Sequence, residues 1–306
     1  MSETLKYSII MFIAGATYGF MVPLVRTAYD FGYLTPEIMV SQYLVGLVAL
    51  CFICLIFSRK SIAPVDILKL LGVGIFSAGV SFFYYQAIQL LTPAAALTLL
   101  FQFVWMGMIV QAVRSRSLPK ASSVIAVVLI IIGAIFATGL IDEGMSLESL
   151  NPLGIVFGLL SAVSYTVFLV LSSVVAKTTP ALNRSLIVVL GSFGLSLAIA
   201  PTYLEKTMIV LDPVLAIVLG LFCICVPIVL ISISAPKLPT GLTTIMASSE
   251  LPSGVICAAI FLGDQMSLAI WLGVVIVLVG IVVSEFETIT HVLQRAKQKK
   301  LNKEEK

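Results

Sequence analysis

The sequence predicts an all-α membrane protein of ten transmembrane helices, arranged as two inverted five-helix repeats. Three observations predict it: a composition too apolar for a soluble globule, a serial spacing of apolar blocks, and a self-similarity at about half the chain length. Of 306 residues, 60% are hydrophobic and 11% charged, against roughly 25% charged in soluble domains. Too few polar side chains remain to cover a water-facing surface. The same figures exclude intrinsic disorder, a collagen-like chain and a disulfide scaffold.

The apolar residues fall in blocks of about 18 to 25, long enough as helices to cross a hydrocarbon core of about 30 Å. Ten such blocks lie at 5–25, 38–57, 67–91, 94–113, 121–141, 153–176, 184–203, 213–235, 240–262 and 267–286. Polar turns separate most of them, such as Arg114-Ser115-Arg116 and Asp142-Glu143-Gly144. Leu91-Thr92-Pro93 and Pro236-Lys237-Leu238-Pro239 are slighter junctions, but the 45 or so residues around each far exceed one crossing. In span one, Ala14-Gly15-Ala16 resembles a leader cleavage site, yet apolar sequence runs on to Val25, so the span is expected to be retained.

Basic residues give an independent check. With a cytoplasmic N-terminus and alternating sides, sixteen Lys and Arg fall inside, among them Arg59, Lys60, Lys177, Arg184 and the tail cations, and only Arg26 and Lys206 fall outside. That is a positive-inside bias. Both chain termini are therefore expected in the cytoplasm, in a multi-pass protein of the cell membrane. The basic stretch after Glu287 reads as a solvated topogenic tail, and nucleic acid is not implied.

A shift of 147 to 148 residues brings the two halves into register. Tyr18 falls on Tyr165, Gly133 on Gly280, Ala87, Leu90 and Thr92 on Ala235, Leu238 and Thr240, and Gln102 on Glu250. We divide the chain into a first five-helix repeat (1–148), a second (149–287) and a basic tail (288–306). Because five is odd, the second unit enters the bilayer from the opposite face. Charge agrees, since Arg59-Lys60 is inside and its counterpart Glu205-Lys206 outside. Inverted repeats are the architecture of alternating access to a midplane site.

From residue 5 to about 287 the chain resembles the drug/metabolite transporter superfamily, in its ten-span EamA type. The best local match is Glu250-Leu251-Pro252, then Asp264 twelve positions on, then Leu272-Gly273 and Gly280-Ile281. These are similar to the family's ninth-helix proline, the acidic residue capping that helix, and a glycine-bearing tenth helix. Asp264 stands where the family usually has Glu, and Val104, the first-half counterpart of Pro252, is not proline. The resemblance implies movement of small metabolites: amino acids, nucleobases, sugars or cationic drugs.

Glu250 is the only acidic residue deep inside any of these spans. A charge at a helix centre costs about 2.5–3.5 kcal/mol on insertion scales, so it should face protein or water. A carboxyl so placed either carries a proton, pairs with an ammonium substrate, or is a neutral group hydrogen-bonded to Gln102 or Tyr18. Pro252 frees a backbone carbonyl and is the candidate helix hinge. A second tier at mid-depth comprises Tyr18, Gln42, Tyr43, Tyr84, Tyr85, Gln86, Gln102, Trp105, Tyr165, Ser248 and Ser249, which either line a shared cavity or hydrogen-bond across helices. Thr98, Gln102 and Trp105 recur at helical spacing on one face. Gly15 with Gly19, and Gly133 with Ala137, form small-residue ridges for close packing within the chain or between copies.

Cys51, Cys54, Cys223, Cys225 and Cys257 all lie in spans and the sole histidine, His291, is in the tail, so a zinc site is not expected. No Walker-type loop is present. No cofactor is expected, and any energy must come from an ion gradient, a proton being the candidate, or from a solute gradient. The expected partners are a small-molecule substrate and the lipid bilayer, with the protein acting as monomer or homodimer. The reading is a secondary active transporter, in the export direction, of a small organic metabolite such as an amino acid. The alternatives are an uncoupled facilitator of metabolites or cationic drugs, and a lipid flippase, which the lack of membrane-buried Lys or Arg disfavours. An intramembrane enzyme would need a nucleophile–base pair or metal cluster that the sequence does not show.

Overall fold

The computed structural model describes residues 3–58, 62–140, 151–200, 212–263 and 265–285. Among them there are only helices and connecting turns, with no strand. Among the described residues nine helices are long and apolar enough to cross a membrane: α1 (Glu3–Asp30), α2 (Thr35–Phe57), α3 (Pro64–Leu90), α4 (Ala94–Ser115), α6 (Pro152–Val174), α7 (Ala181–Ile199), α8 (Pro213–Lys237), α9 (Thr240–Leu262) and α10 (Leu268–Glu285). The shorter apolar α5 (Ala121–Ala137) makes ten. Both slight junctions separate helices, since proline ends one hydrogen-bond ladder and starts the next. Thr92 caps the segment Pro93–Leu100 by accepting from the Ala95 N–H at 3.3 Å. The Arg59-Lys60 and Glu205-Lys206 loops, Asp264, and the tail with His291 lie outside the described residues.

Near their middles α1, α4 and α9 are broken. α1 divides into Glu3–Gly19 and Met21–Asp30. α4 divides into α4a (Pro93–Leu100) and α4b (Phe103–Ser115), and α9 into α9a (Thr240–Ala247) and α9b (Glu250–Cys257) with a wider turn at Ala258–Leu262. At each break the backbone tightens to i→i+3 bonding. Val104 N–H donates to Phe101 O at 3.2 Å, and Leu251 N–H to Ser248 O at 3.3 Å. In α1 and α9 a proline follows the break by three or four residues: Pro23, whose ring would strike the Gly19 carbonyl, and Pro252, whose ring would strike that of Ser248. Pro252 therefore lies in the first turn of α9b, and the bend itself is at Ser248-Ser249. α4 breaks without a proline.

The breaks in α4 and α9 stand 147 residues apart, as do further contacts. A Cβ on Gly133 would meet Val277 and the Gly273 carbonyl, and one on Gly280 would meet Ile130 and the Ala126 carbonyl. Each contact is the other's image under the same shift. Such reciprocity is what a pseudo-twofold axis between inverted halves requires. The predicted small-residue ridges work inside the chain: Gly133 and Ala137 bring α5 onto α10, and Gly15 and Gly19 seat α1 on α9 at the Ser248-Ser249 bend.

Contacts define two ends of the bundle. Ser8 donates to Glu285, Ser58 to Asn183, and Thr179 to Asp66 at 3.3 Å, at the end to which the described Lys and Arg other than Arg26 belong. We call it the basic end. At the opposite end Glu37 accepts from the Leu34 N–H at 2.8 Å, capping α2. Arg184, which the sequence marks only as one of the cations of the inner side, is 3% exposed. Its Nη1 donates to Ser232 O at 2.9 Å and its Nη2 to Ser172 O at 2.6 Å. Both carbonyls lack helical partners. Four residues after Ser232 comes Pro236, which has no N–H, and Ser172 lies in the last turn of α6.

Candidate functional site

Midway along α9, where α9b begins, the carboxyl of Glu250 is 4% exposed. Its Oε2 accepts a hydrogen bond from the Tyr165 hydroxyl of α6 at 3.0 Å. The backbone amides that start a helix favour negative charge in the first turn, so the break gives the carboxylate a place to sit. The partner is thus Tyr165 and not Gln102 or Tyr18, the two that the sequence offered.

Above Glu250 a cavity of about 650 Å³ opens towards the end opposite the basic one. Its walls come from the second half of α1, the end of α3, α4a, the end of α5, α9b and the start of α10. The lining is mostly aliphatic, with Tyr84, Tyr85 and Gln89 on α3 and Tyr29, Arg26 and Asp30 on α1 as polar groups. At the rim, Thr35 Oγ1 bonds the Tyr29 hydroxyl at 2.8 Å and accepts from Gln89 Nε2 at 2.9 Å. On the other side of Glu250 lies a small chamber of about 20 Å³ bordered by Tyr18, Tyr43, Tyr84, Tyr165, Ser77 and Ser81. Tyr43 and Ser81 share a hydrogen bond at 3.0 Å across it. Tyr18 and Tyr165, matched by the repeat, meet edge to face with centroids 6.3 Å apart.

The structure therefore gathers Glu250, Tyr18, Tyr43, Tyr84, Tyr85 and Tyr165 around one carboxyl. It leaves other candidates apart. Gln102 Nε2 donates to Thr98 O at 3.0 Å and its Oε1 accepts from Trp105 Nε1 at 2.8 Å, and neither Gln102 nor Trp105 borders the cavity or the chamber. Ser249 Oγ donates to the Phe12 carbonyl at 2.7 Å, tying the α9 bend to α1. Gln42 is one residue removed from the cavity wall, accepting from the Tyr85 hydroxyl at 3.4 Å, and Gln86 borders neither space. Register explains part of this. At the breaks the shift is 147, so the counterpart of Glu250 is Phe103 and that of Gln102 is Ser249.

Sequence reading missed Arg26, Tyr29, Asp30 and Gln89. The signal was present: Arg26 and Asp30 stand four apart, one helical turn, just past the point where the apolar block was closed. It also missed that Glu285 is buried, at 4% exposure, against Ser8. Among the described residues no His, Cys, Asp or Glu cluster could hold a metal ion.

The profile of the EamA-like transporter family matches the chain twice, over residues 5–139 and 152–286. Each boundary of the second match lies 147 residues after its counterpart in the first, the shift that relates the helix breaks. A solved crystal structure, described in print only as that of a protein, is 14% identical with a TM-score of 0.75, covering 92% of this chain and 98% of that one. At that identity the likeness is one of fold. None of the curated proteins compared with the chain matches it.

Proposed function

The chain belongs to the EamA-like transporter family, and from that premise we propose that it exports a small organic metabolite, such as an amino acid, across the cell membrane by alternating access. Glu250 is the residue that holds either the coupling proton or the amino group of the solute. The observation that carries this reading is the position of Glu250: a buried carboxyl at a helix break, on the floor of a cavity large enough for a metabolite. Leaving a charge there without a partner is costly, so it must be neutralised by a proton or by a cationic group of the solute. Exchange between the two couples one flux to the other.

The aliphatic and aromatic walls suit a solute with an apolar body. The charge distribution supports a cytoplasmic basic end and an external cavity mouth. Transport in proteoliposomes loaded with candidate amino acids tests the reading. Glu250→Gln should lower the rate at least tenfold and flatten its pH dependence, whereas Glu250→Asp should retain part of both. An unchanged rate and pH profile in Glu250→Gln would remove the carboxyl from the mechanism.

A further inference from the structure

At the basic end lies a second cavity, of about 370 Å³, between α4b, the start of α5, α9a and the end of α10. Part of its lining is the repeat image of the outer cavity's. A shift of 147 residues carries Met108, Gln111, Ser115, Ser123 and Ser284 of this vestibule onto Val255, Ala258, Leu262, Ile270 and Ala137 of the outer cavity. What separates the vestibule from Glu250 is the packing of α4b on α9a. Gln111 Oε1 accepts from the Gly241 N–H at 2.5 Å. Thr244 Oγ1 lies 3.4 Å from the Val104 carbonyl, and the Thr244 side chain fills the space a Cβ on Gly107 would need.

Under the same shift these three contacts become Ala258 with Ala94, Leu97 with Leu251, and Leu97 with Gly254. All five of those residues line the open outer cavity. Each contact that shuts one end thus has its image standing open at the other.

We propose that the vestibule is the second mouth of the transport path, and that the protein opens it by exchanging image contacts. Ala94 closes on Ala258, and Leu97 on Leu251 and Gly254, as Gln111 leaves Gly241 and Thr244 leaves Val104 and Gly107. The inference rests on the alternating-access reading and adds to it the residues of both gates. It also gives the second mouth a chemistry. Where the outer cavity presents Ala258, Leu262 and Ile270, the vestibule presents an amide and two hydroxyls, which suit a small polar solute still carrying its water.

Two double-cysteine variants of the full chain in proteoliposomes test this: Ala94→Cys with Ala258→Cys, and Gln111→Cys with Gly241→Cys. Peptide mapping after mild oxidation assigns the cross-links and keeps the five native cysteines from confusing the result. The second pair is in contact in this structure and serves as the reference. The first should also cross-link, with at least tenfold loss of transport that reductant restores, and with increased hydrogen exchange in the 104–111 peptide as the seal comes apart. The proposal is overturned if the Ala94–Ala258 pair stays reduced while the reference pair oxidises. It is equally overturned if the bond forms with no change in exchange at 104–111. Should Glu250→Gln prove harmless while these cross-links behave as stated, the carboxyl's role falls and the gate stands; the reverse outcome removes the gate alone.

Discussion

Glu250 has no chemical twin: at its image position stands Phe103, whose ring lies 4.4 Å from that of Tyr165. The duplicated scaffold thus carries its ionisable group once. Close approach of α1 to that group depends on Gly19, where a Cβ would lie 2.6 Å from both the Glu250 carbonyl and the Gly254 nitrogen. Gly19→Leu should therefore cost at least about 1–3 kcal/mol through overpacking, read as a lower thermal midpoint. Gly72→Ala, with nothing within 4 Å of the added carbon, should be neutral or stabilise by about 0.5–1 kcal/mol. At this scale the sequence spoke plainly about Glu250, since a lone carboxylate inside an apolar run has few physical explanations. It misled about Gln102. A register taken one residue too far turns a helix by about 100°, enough to point an amide at the wrong neighbour.

Helices were legible as apolar blocks, but their interruptions were not. Hydropathy averages across a break, and α4 bends at Phe101-Gln102 without the proline that marks α1 and α9. Likewise α1 was closed early at Val25. Arg26 and Asp30 look like loop charges until the last turns of the helix are seen to line a cavity. Arg184 shows the same difficulty from the other side. Its cationic character signals topology, whereas its structural work is to satisfy carbonyls left over by Pro236 and by the end of α6. Replacing it by methionine, which fills similar space without donors, strands two buried acceptors. A loss of about 1–3 kcal/mol for each is expected, measurable as a fall in thermal midpoint that Arg184→Lys only partly recovers.

The whole molecule is an argument about parity. Ten crossings would return the chain to the side from which it started and hold the basic end in one compartment throughout. Membrane-impermeant thiol labelling should modify Ser117→Cys only in inverted vesicles and Phe31→Cys only in intact cells, both positions being exposed. Labelling of both from one side would refute the alternation. Fold and repeat could be read in advance because hydropathy and self-similarity are properties of the chain alone. Which of two equivalent ends stands open is a property of one conformation, and neither Leu97 nor Thr244 announces it. The two mouths, however, are furnished differently, aliphatic on one side and rich in hydroxyls and amide on the other. A solute with a greasy body consequently dwells longer at one face than at the other. Half-saturating concentrations measured from the two sides should differ, although the overall equilibrium across the bilayer is untouched.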